Sequence, residues 1–280
     1  MRGDAKRIGK VGHGRLGGGP RSVIAYRRTL RGLFWSVVAR LRRGELQAKK
    51  DTTPPLLARE QSVRQLAAMF SCATEQISAY LDECRTDPLI RETRCRLDNL
   101  SSQGAVGGSA SVFDAETLYL LLRRLRPARV VETGVLYGVF SAYILAALER
   151  NGTGHLYSID LPFTFGVGSQ GMVIPESLHR RWSLLVGDAV EKLPGILQRL
   201  GNIQLFHHDS NHNYDHMTWE FTTTWPHISP GGVLSSHDVV LNPSFSHFNR
   251  RHRAAIAGSF VVRNLGVTRK QERNCDENRH

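Results

Sequence analysis

The chain has 280 residues, and 41% of them are hydrophobic, which is enough to bury the core of one sizeable domain. Residues 1–50 contain 14 of the 37 basic and two of the 25 acidic residues, so the rest of the chain holds 23 of each sign and the +12 net charge belongs to this segment. Nucleic acid is therefore not expected as a partner of the neutral part that follows.

Four cysteines stand far apart, and none forms the CxxC pair that is typical of zinc knuckles; they are Cys72, Cys84, Cys95 and Cys275. No secretory signal with a continuous apolar core precedes them, so we expect reduced thiols and a cytoplasmic protein. The longest apolar run, LFWSVVA at 33–39, is far shorter than the roughly 18 residues that span a bilayer. We therefore expect a chain that does not cross a membrane.

Residues 1–58 are predicted to form a basic, largely disordered tail. Sequence rich in glycine and charge buries too little apolar surface to offset the entropy lost on ordering. Residues 27–44 place apolar side chains at helical spacing between arginines. This pattern favours a marginal solvated helix or upstream sequence included by a wrong start codon; the alternative is a helix with weak contact to an anionic membrane surface.

Residues 59–110 are predicted to form a helical cap. A linker, DTTPPLL at 51–57, precedes it, because tandem proline stops a helix. The spacing of apolar residues over 62–84 then suits two short amphipathic helices. A DNA-reading helix-turn-helix is the alternative, but this segment is not basic. A flexible loop, SSQGAVGGSAS at 101–111, leads into the main domain.

Helices and strands alternate over 111–280. A helix over 113–127 comes first, with leucines recurring on one side. The predicted strands are 128–133, 155–160, 181–188, 203–209 and 231–239, and the predicted helices between them are 139–150, 189–200 and 214–225. Because the strands are almost continuously apolar, we predict an α/β fold with a doubly wound, mostly parallel sheet that is covered on both faces.

Ligands of such sheets bind beyond the carboxyl ends of the strands. The first predicted strand ends in ETGVLYG at 132–138, a glycine turn that lacks the GxGxxG pattern of dinucleotide enzymes. Glu132 before the turn suits a ligand with an amino group, Asp160 can accept both hydroxyls of a ribose, and Asp188 can meet an adenine amino group. A nucleoside that carries an ammonium fits these ends, and S-adenosylmethionine (SAM) is such a nucleoside.

The stretch VVETGVLYGVFSAYILAALERNGTGHLYSIDLP resembles the cofactor half of the class I SAM-dependent methyltransferases, in particular the bacterial group called methyltransferase family 24. The likeness continues in order to NLGVTRK and covers about residues 112–270. It implies a Rossmann-like fold that closes with an antiparallel hairpin at 259–264 and 266–270. We expect the helical segment before it to form a lid or cap over the acceptor pocket. The SAM contacts that the likeness implies are Glu132, Gly134, Gly138, Ser141, Asp160 and Asp188.

The stretch HHDSNHNYDH at 207–216 follows the fourth strand, where the resemblance places the transferred methyl group. Similar enzymes carry His-Asp-Ser followed by His and Tyr there, which matches His208, Asp209, Ser210, His212 and Tyr214. Methyl transfer to oxygen requires removal of the acceptor's proton, and a His or Asp within reach can take it. His212 is the candidate base, and Asp209 is the second candidate catalytic residue. His207 and His216 fall outside the pattern and are predicted to be a strand residue and an exposed helix residue.

Two aspartates at neighbouring strand ends, Asp209 and Asp238, are candidate ligands for Mg²⁺ or Mn²⁺, as in related metal-dependent O-methyltransferases. Similar proteins often carry Asp-Asp before Val, whereas this chain has His237 and Asp238. An imidazole at this place shifts the preference toward a softer metal or abolishes binding. A hydrogen-bonded structural role for Asp238 is the alternative.

The sequence therefore predicts a SAM-dependent methyltransferase that acts on a hydroxyl of a small molecule, a sugar or secondary metabolite. The first alternative is a SAM-binding module without catalysis that acts as an interaction or RNA-binding protein through its basic tail. The second is an NAD-dependent oxidoreductase, which the missing phosphate fingerprint disfavours. Fold resemblance supports binding better than it supports any one reaction.

Overall fold

The computed structural model describes residues 55–102, 111–162 and 169–272. The predicted basic tail up to residue 54, most of the predicted loop at 101–111, and Cys275 lie outside the described residues. Among the helices of the described chain, none combines the length and apolar character that a bilayer crossing requires.

Three helices open the described chain: α1 at Pro55–Met69, α2 at Thr74–Thr86 and α3 at Pro88–Ser102. The first two match the amphipathic pattern, but the linker predicted at 51–57 is wrong in its second half, because proline is well tolerated at the first position of a helix. The sequence analysis did not resolve α3. The sequence feature that marks the start of α3 is the Asp87–Pro88 pair. The Asp87 carboxylate accepts a hydrogen bond from the Leu89 backbone N–H at 2.8 Å and caps the helix.

A buried carboxylate anchors these helices to the next one, α4 at Val112–Leu125. Glu116 on α4 is 1% exposed and pairs with Arg59 of α1 and Arg94 of α3, each at 2.7 Å. Arg94 also donates to the Tyr143 hydroxyl at 3.0 Å. Two cations from different helices thus neutralise one buried acid, which fixes α1 and α3 against α4.

The described residues after α4 contain a seven-stranded sheet. Its strands are β1 at Arg129–Thr133, β2 at His155–Asp160, β3 at Trp182–Val186, β4 at Ile203–His208, β5 at Ile228–Ser236, β6 at Ile256–Val262 and β7 at Leu265–Lys270. Their spatial order is β3-β2-β1-β4-β5-β7-β6, with β1 to β5 parallel and the β6–β7 hairpin antiparallel. The predicted fold class is confirmed. The strand order reverses direction between β1 and β4, and ligands of open α/β sheets bind at such a crevice.

Helices cover both faces of the sheet. On one face, α4 and α5, at Val139–Asn151, form a core with α1 to α3. On the other face lie α6 at Ala189–Leu200, α7 at Tyr214–Thr224 and α8 at Ser244–Arg251. The sequence analysis did not identify α8, because its apolar contacts are limited to Phe245 and Phe248 between polar residues. The two layers leave the carboxyl edge of the sheet as the place for a site.

Candidate functional site

A glycine turn brings the ends of β1 and β4 into direct contact. Gly134 has φ of +85°, and a Cβ atom at this position would lie 2.2 Å from the backbone oxygen of Asp209. The Gly134 N–H donates to the Ile159 carbonyl at 2.8 Å, and the Asp209 N–H donates to the Thr133 carbonyl at the same distance. Glycine is therefore required here both for the backbone conformation and for the close approach to Asp209.

The Gly134→Ala variant is expected to lose about 2–3 kcal/mol of unfolding free energy, from a left-handed backbone conformation and from overpacking. The matched control is Gly152→Ala, because Gly152 has φ of +70° but no atom within 4 Å of its added Cβ. Urea denaturation of both variants measures the difference. Equal losses in the two variants would show that contact with Asp209 is unimportant.

A fully buried carboxylate, Glu132, lies beneath the turn. Its Oε2 atom accepts hydrogen bonds from Ser141 Oγ at 2.7 Å and Ser158 Oγ at 2.8 Å. Its Oε1 atom is buried and has no hydrogen-bond partner within the described part of the chain. Burial raises the pKa of Glu132 to about 8. An unsatisfied buried oxygen at the end of β1 is suited to a donor group of a ligand, such as an ammonium.

The raised pKa of Glu132 predicts a pH-dependent stability. Between the ordinary value of 4.5 and about 8, the unfolded chain has lost this proton while the folded chain keeps it, so rising pH favours unfolding in that window. The unfolding free energy of the wild type, relative to Glu132→Gln, is therefore expected to fall as the pH rises from about 5 to about 8. Urea denaturation at several pH values tests this, with Glu75→Gln as the exposed control. A difference that stays constant with pH would contradict it.

The other predicted cofactor residues have structural partners. The Asp160 carboxylate accepts hydrogen bonds from the backbone N–H groups of Leu136 and Leu161, each at 2.9 Å, so it also supports the glycine turn. Gly138, with φ of +91°, is the N-cap residue that precedes α5. Asp188 caps α6, since its Oδ1 accepts from the Val190 N–H at 2.8 Å. The contacts of these residues with SAM remain predictions.

The motif after β4 meets the loop after β5 in a compact cluster. Asp209 Oδ1 lies 3.0 Å from His237 Nδ1 and 3.3 Å from His212 Nε2. Asp238 is further away, with its Oδ2 atom 3.8 Å from His212 Nε2. Asp238 has φ of +54°, and its Oδ1 accepts a hydrogen bond from Asn264 Nδ2 at 3.3 Å. The structure thus brings the candidate base, Asp209 and His237 together.

A third carboxylate reaches this cluster from α4. Asp114 Oδ2 lies 3.5 Å from His237 Nε2, and the Asp114 side chain is 2% exposed. Burial raises the pKa of Asp114. Burial by itself would lower the pKa of His237, but Asp238 and Asp209 raise it well above its ordinary value. Asp114 is not among the site residues predicted from the sequence, because its contact with His237 joins residues far apart in the chain.

The pKa of Asp209 responds to the same partners. Burial would raise it, whereas His237 and His212 hold it well below its ordinary value. Asp209 is therefore an anion that can orient both imidazoles.

A second buried carboxylate, Glu220 on α7, holds the loop from the other side. Its Oε2 accepts from Thr133 Oγ1 and His208 Nδ1, each at 2.6 Å, and its Oε1 accepts from Ser210 Oγ and His216 Nε2, each at 2.8 Å. Burial would raise the pKa of Glu220, but His208 lowers it below its ordinary value. Glu220 thus joins the ends of β1 and β4, and the sequence analysis missed it.

The remaining residues of the motif differ in burial. His216 was predicted to be exposed, and this is wrong: its ring is largely buried because it pairs with Glu220. His207 is a buried strand residue, as predicted; its Nδ1 lies 3.0 Å from Ser235 Oγ, and burial lowers its pKa to about 3. Tyr214 is exposed, and its hydroxyl lies 3.0 Å from His247 Nδ1.

The parallel sheet, the glycine turn at the strand reversal and the acids at the ends of β1 and β2 are the arrangement expected of a class I SAM-dependent methyltransferase. Residues 131–239 match the family model described as a methyltransferase domain, so this segment has the fold and the cofactor class of a SAM-dependent methyltransferase.

Two solved structures have a similar fold. A methyltransferase from Geobacter sulfurreducens is 20% identical, with a TM-score of 0.51 over 71% of this chain and 96% of that chain. A protein from Klebsiella pneumoniae described as a candidate O-methyltransferase is 16% identical, with a TM-score of 0.50 over 68% of this chain and 94% of that chain. Among curated proteins, none matches the sequence.

Proposed function

We propose that this methyltransferase transfers the methyl group of SAM to a hydroxyl oxygen of a small molecule, a sugar or secondary metabolite. The observation that carries the proposal is the Asp209–His212 pair, at 3.3 Å, beside the glycine turn. Methylation of a hydroxyl needs a group that removes the hydroxyl proton, and an imidazole held by a carboxylate is such a group. The description of the Klebsiella pneumoniae protein as a candidate O-methyltransferase agrees with this choice.

Six residues are proposed to hold SAM: Glu132, Gly134, Gly138, Ser141, Asp160 and Asp188. The site fits this cofactor, because Glu132 offers an unsatisfied buried oxygen beneath the turn. When bound, SAM supplies an electrophilic methyl group on a sulfonium. The chain's own part is to orient the cofactor along the β1–β4 crevice and to keep the acceptor oxygen in line with that methyl group.

His212 is proposed to take the acceptor proton at Nδ1, while Asp209, which faces Nε2, orients the ring. A bond forms between the acceptor oxygen and the methyl carbon as the carbon–sulfur bond breaks, so the products are the methyl ether, S-adenosylhomocysteine and a proton held by the pair. Asp209 stabilises the imidazolium that results.

The helices at 59–110 are proposed to cap the acceptor pocket. The position of Arg59 supports this proposal, because its Cζ atom lies 4.7 Å from the ring centroid of Phe113. Phe113 directly precedes Asp114 of the site, so α1 lies next to the cluster.

A divalent ion at Asp209 and Asp238, Mg²⁺ or Mn²⁺, is a further part of the proposal. The donors nearest to Asp209 are imidazole nitrogens rather than oxygens, so this environment fits Mn²⁺ better than Mg²⁺. Treatment with EDTA followed by return of each ion tests the need for a metal. Activity that responds to neither step would remove the ion from the proposal.

Calorimetric titration with S-adenosylhomocysteine and with NAD tests the cofactor. Both titrations are made on the wild type and repeated on the Asp160→Ala variant. We expect binding of S-adenosylhomocysteine only, and loss of that binding in Asp160→Ala but not in Asp82→Ala, which removes an exposed acid. Incubation with SAM labelled at the methyl group and a panel of sugars, glycosides and phenols then tests the acceptor, with mass spectrometry to locate the label. Label on nitrogen or carbon rather than oxygen would overturn the proposed reaction.

A further inference from the structure

We infer that the cluster of Asp209, His212 and His237 binds a divalent transition-metal ion through one carboxylate and two imidazoles, and that Asp114 orients His237 as a ligand. The inference rests on the proposed function, because the ion would bind at the proposed site of methyl transfer. It replaces the Asp209–Asp238 ligand pair with a mixed nitrogen and oxygen set.

The spacing of the three ligand atoms fits a single ion. Asp209 Oδ1 lies 3.0 Å from His237 Nδ1 and 3.3 Å from His212 Nε2, and all three atoms lie within 4.8 Å of one another. Ligands about 2.1 Å from an ion are separated by roughly 3.0 Å along an octahedral edge and by roughly 3.4 Å along a tetrahedral edge. Both Asp209 separations fall in this range, so one ion can contact the three atoms after a small adjustment.

The surroundings of His237 provide independent support. A metal-binding histidine usually presents its second ring nitrogen to a carboxylate, which fixes the ring and raises its basicity. His237 has this arrangement, because Nδ1 faces Asp209 while Nε2 lies 3.5 Å from Asp114 Oδ2. Both carboxylate oxygens of Asp114 are buried without a hydrogen bond in the described part of the chain. Asp114 Oδ1 also lies 4.0 Å from Arg263 Nε, which partly offsets the cost of this burial and leaves Oδ2 to orient His237.

Hydrogen bonds also fix the backbone of the two loops that carry these ligands. The Asn242 side-chain amide donates to the His212 carbonyl at 2.8 Å, and the His237 N–H donates to the His208 carbonyl at 2.9 Å. The ligand-bearing loops after β4 and β5 are thereby tied together, which reduces the entropy lost when an ion binds.

The two imidazoles select the class of ion. Mg²⁺ prefers oxygen ligands in a near-ideal octahedron, whereas Mn²⁺, Fe²⁺, Co²⁺ and Zn²⁺ accept imidazole nitrogen. When bound, such an ion supplies a positive charge that favours an ionised hydroxyl beside it. His212 and His237 then hold the ion, and proton removal by His212 applies to the metal-free protein.

Titration of the EDTA-treated full chain with Co²⁺ tests the inference through the visible absorption of the bound ion. We expect one strong Co²⁺ site per chain. Mn²⁺ or Zn²⁺ is expected to displace the Co²⁺, whereas Mg²⁺ is expected to need a concentration at least about tenfold higher than Mn²⁺. His212→Ala and His237→Ala are expected to abolish this site. Asp114→Asn is expected to weaken it by about 10- to 100-fold while keeping both imidazoles. His227→Ala, which removes a histidine at the opposite edge of the sheet, is the matched control for surface binding.

Thermal unfolding in the presence of S-adenosylhomocysteine shows which variants remain folded, and His237→Asn replaces His237→Ala if the latter does not fold. Three results would overturn the metal inference: no saturable Co²⁺ site in the wild type, an equal site in His212→Ala and His237→Ala, or Mg²⁺ displacement as effective as that of Mn²⁺. Binding of S-adenosylhomocysteine and methyl transfer in EDTA would then leave the proposed methyltransferase function intact. Loss of label transfer to oxygen with the Co²⁺ site present would overturn the proposed reaction instead.

Discussion

Replacement of Glu220 by alanine is expected to lower the free energy of unfolding by about 3–5 kcal/mol, the range typical when one partner of a buried ion pair is removed. The Glu220 carboxylate accepts four hydrogen bonds, two of which come from the imidazoles of His208 and His216. Alanine would leave buried donors without an acceptor at the ends of β1 and β4. Because folded domains are stable by only about 5–15 kcal/mol, this single change would remove a large part of the stability.

Urea denaturation near pH 6 measures this loss, and Asp215→Ala on the same helix is the exposed control, expected to cost under about 1 kcal/mol. The pKa of Glu220 is lowered, so its contribution is present above the ordinary value of 4.5 and is lost as the pH falls through the lower folded value. Burial by itself would lower the pKa of His216, but Glu220 raises it. The His216 contribution is therefore present below 6.5 and is lost as the pH rises through the raised value. A loss no greater than that of Asp215→Ala would contradict the assigned role.

Replacement of His212 by alanine is expected to lower the rate of methyl transfer by about 100- to 10,000-fold, the range for removal of a general base. The same fall is expected if the ring acts as a metal ligand, since either role requires the imidazole beside Asp209. Affinity for S-adenosylhomocysteine is expected to change by less than about threefold, because the proposed cofactor contacts precede residue 189. Single-turnover transfer from labelled SAM, together with calorimetric titration, separates the two quantities.

The matched control for His212→Ala is His227→Ala, whose histidine follows α7 and precedes β5 at the opposite edge of the sheet. It is expected to leave both transfer and cofactor affinity unchanged. Normal transfer by the His212→Ala variant would remove His212 from the reaction. A parallel loss of S-adenosylhomocysteine binding would show instead that the loop after β4 is needed to build the cofactor pocket.

The sequence by itself determined the main domain because the signals for its elements are local. Alternating apolar strands and amphipathic helices predicted the sheet, and the parallel strands that follow from this pattern bring their carboxyl ends to one edge. Asp209 and His212 are three residues apart in one loop, so their proximity at 3.3 Å also followed from the chain. Missed elements carried weaker signals: α8 has few apolar positions, and α3 depended on one cap at Asp87.

Only the tertiary structure decided which buried acids meet which histidines. Asp114 and His237 are separated by 123 positions (237 minus 114), and Glu220 meets Thr133 across 87. These contacts exist because β1 lies between β2 and β4 and because α4 and β5 contribute to the same hydrophobic core, arrangements that no local pattern specifies. Burial then decides the chemistry: a carboxylate removed from water keeps its charge only where an imidazole or a cation faces it. For that reason the sequence could supply the candidates Asp209, His212 and His237, while their common geometry and the roles of Asp114 and Glu220 come from the folded chain.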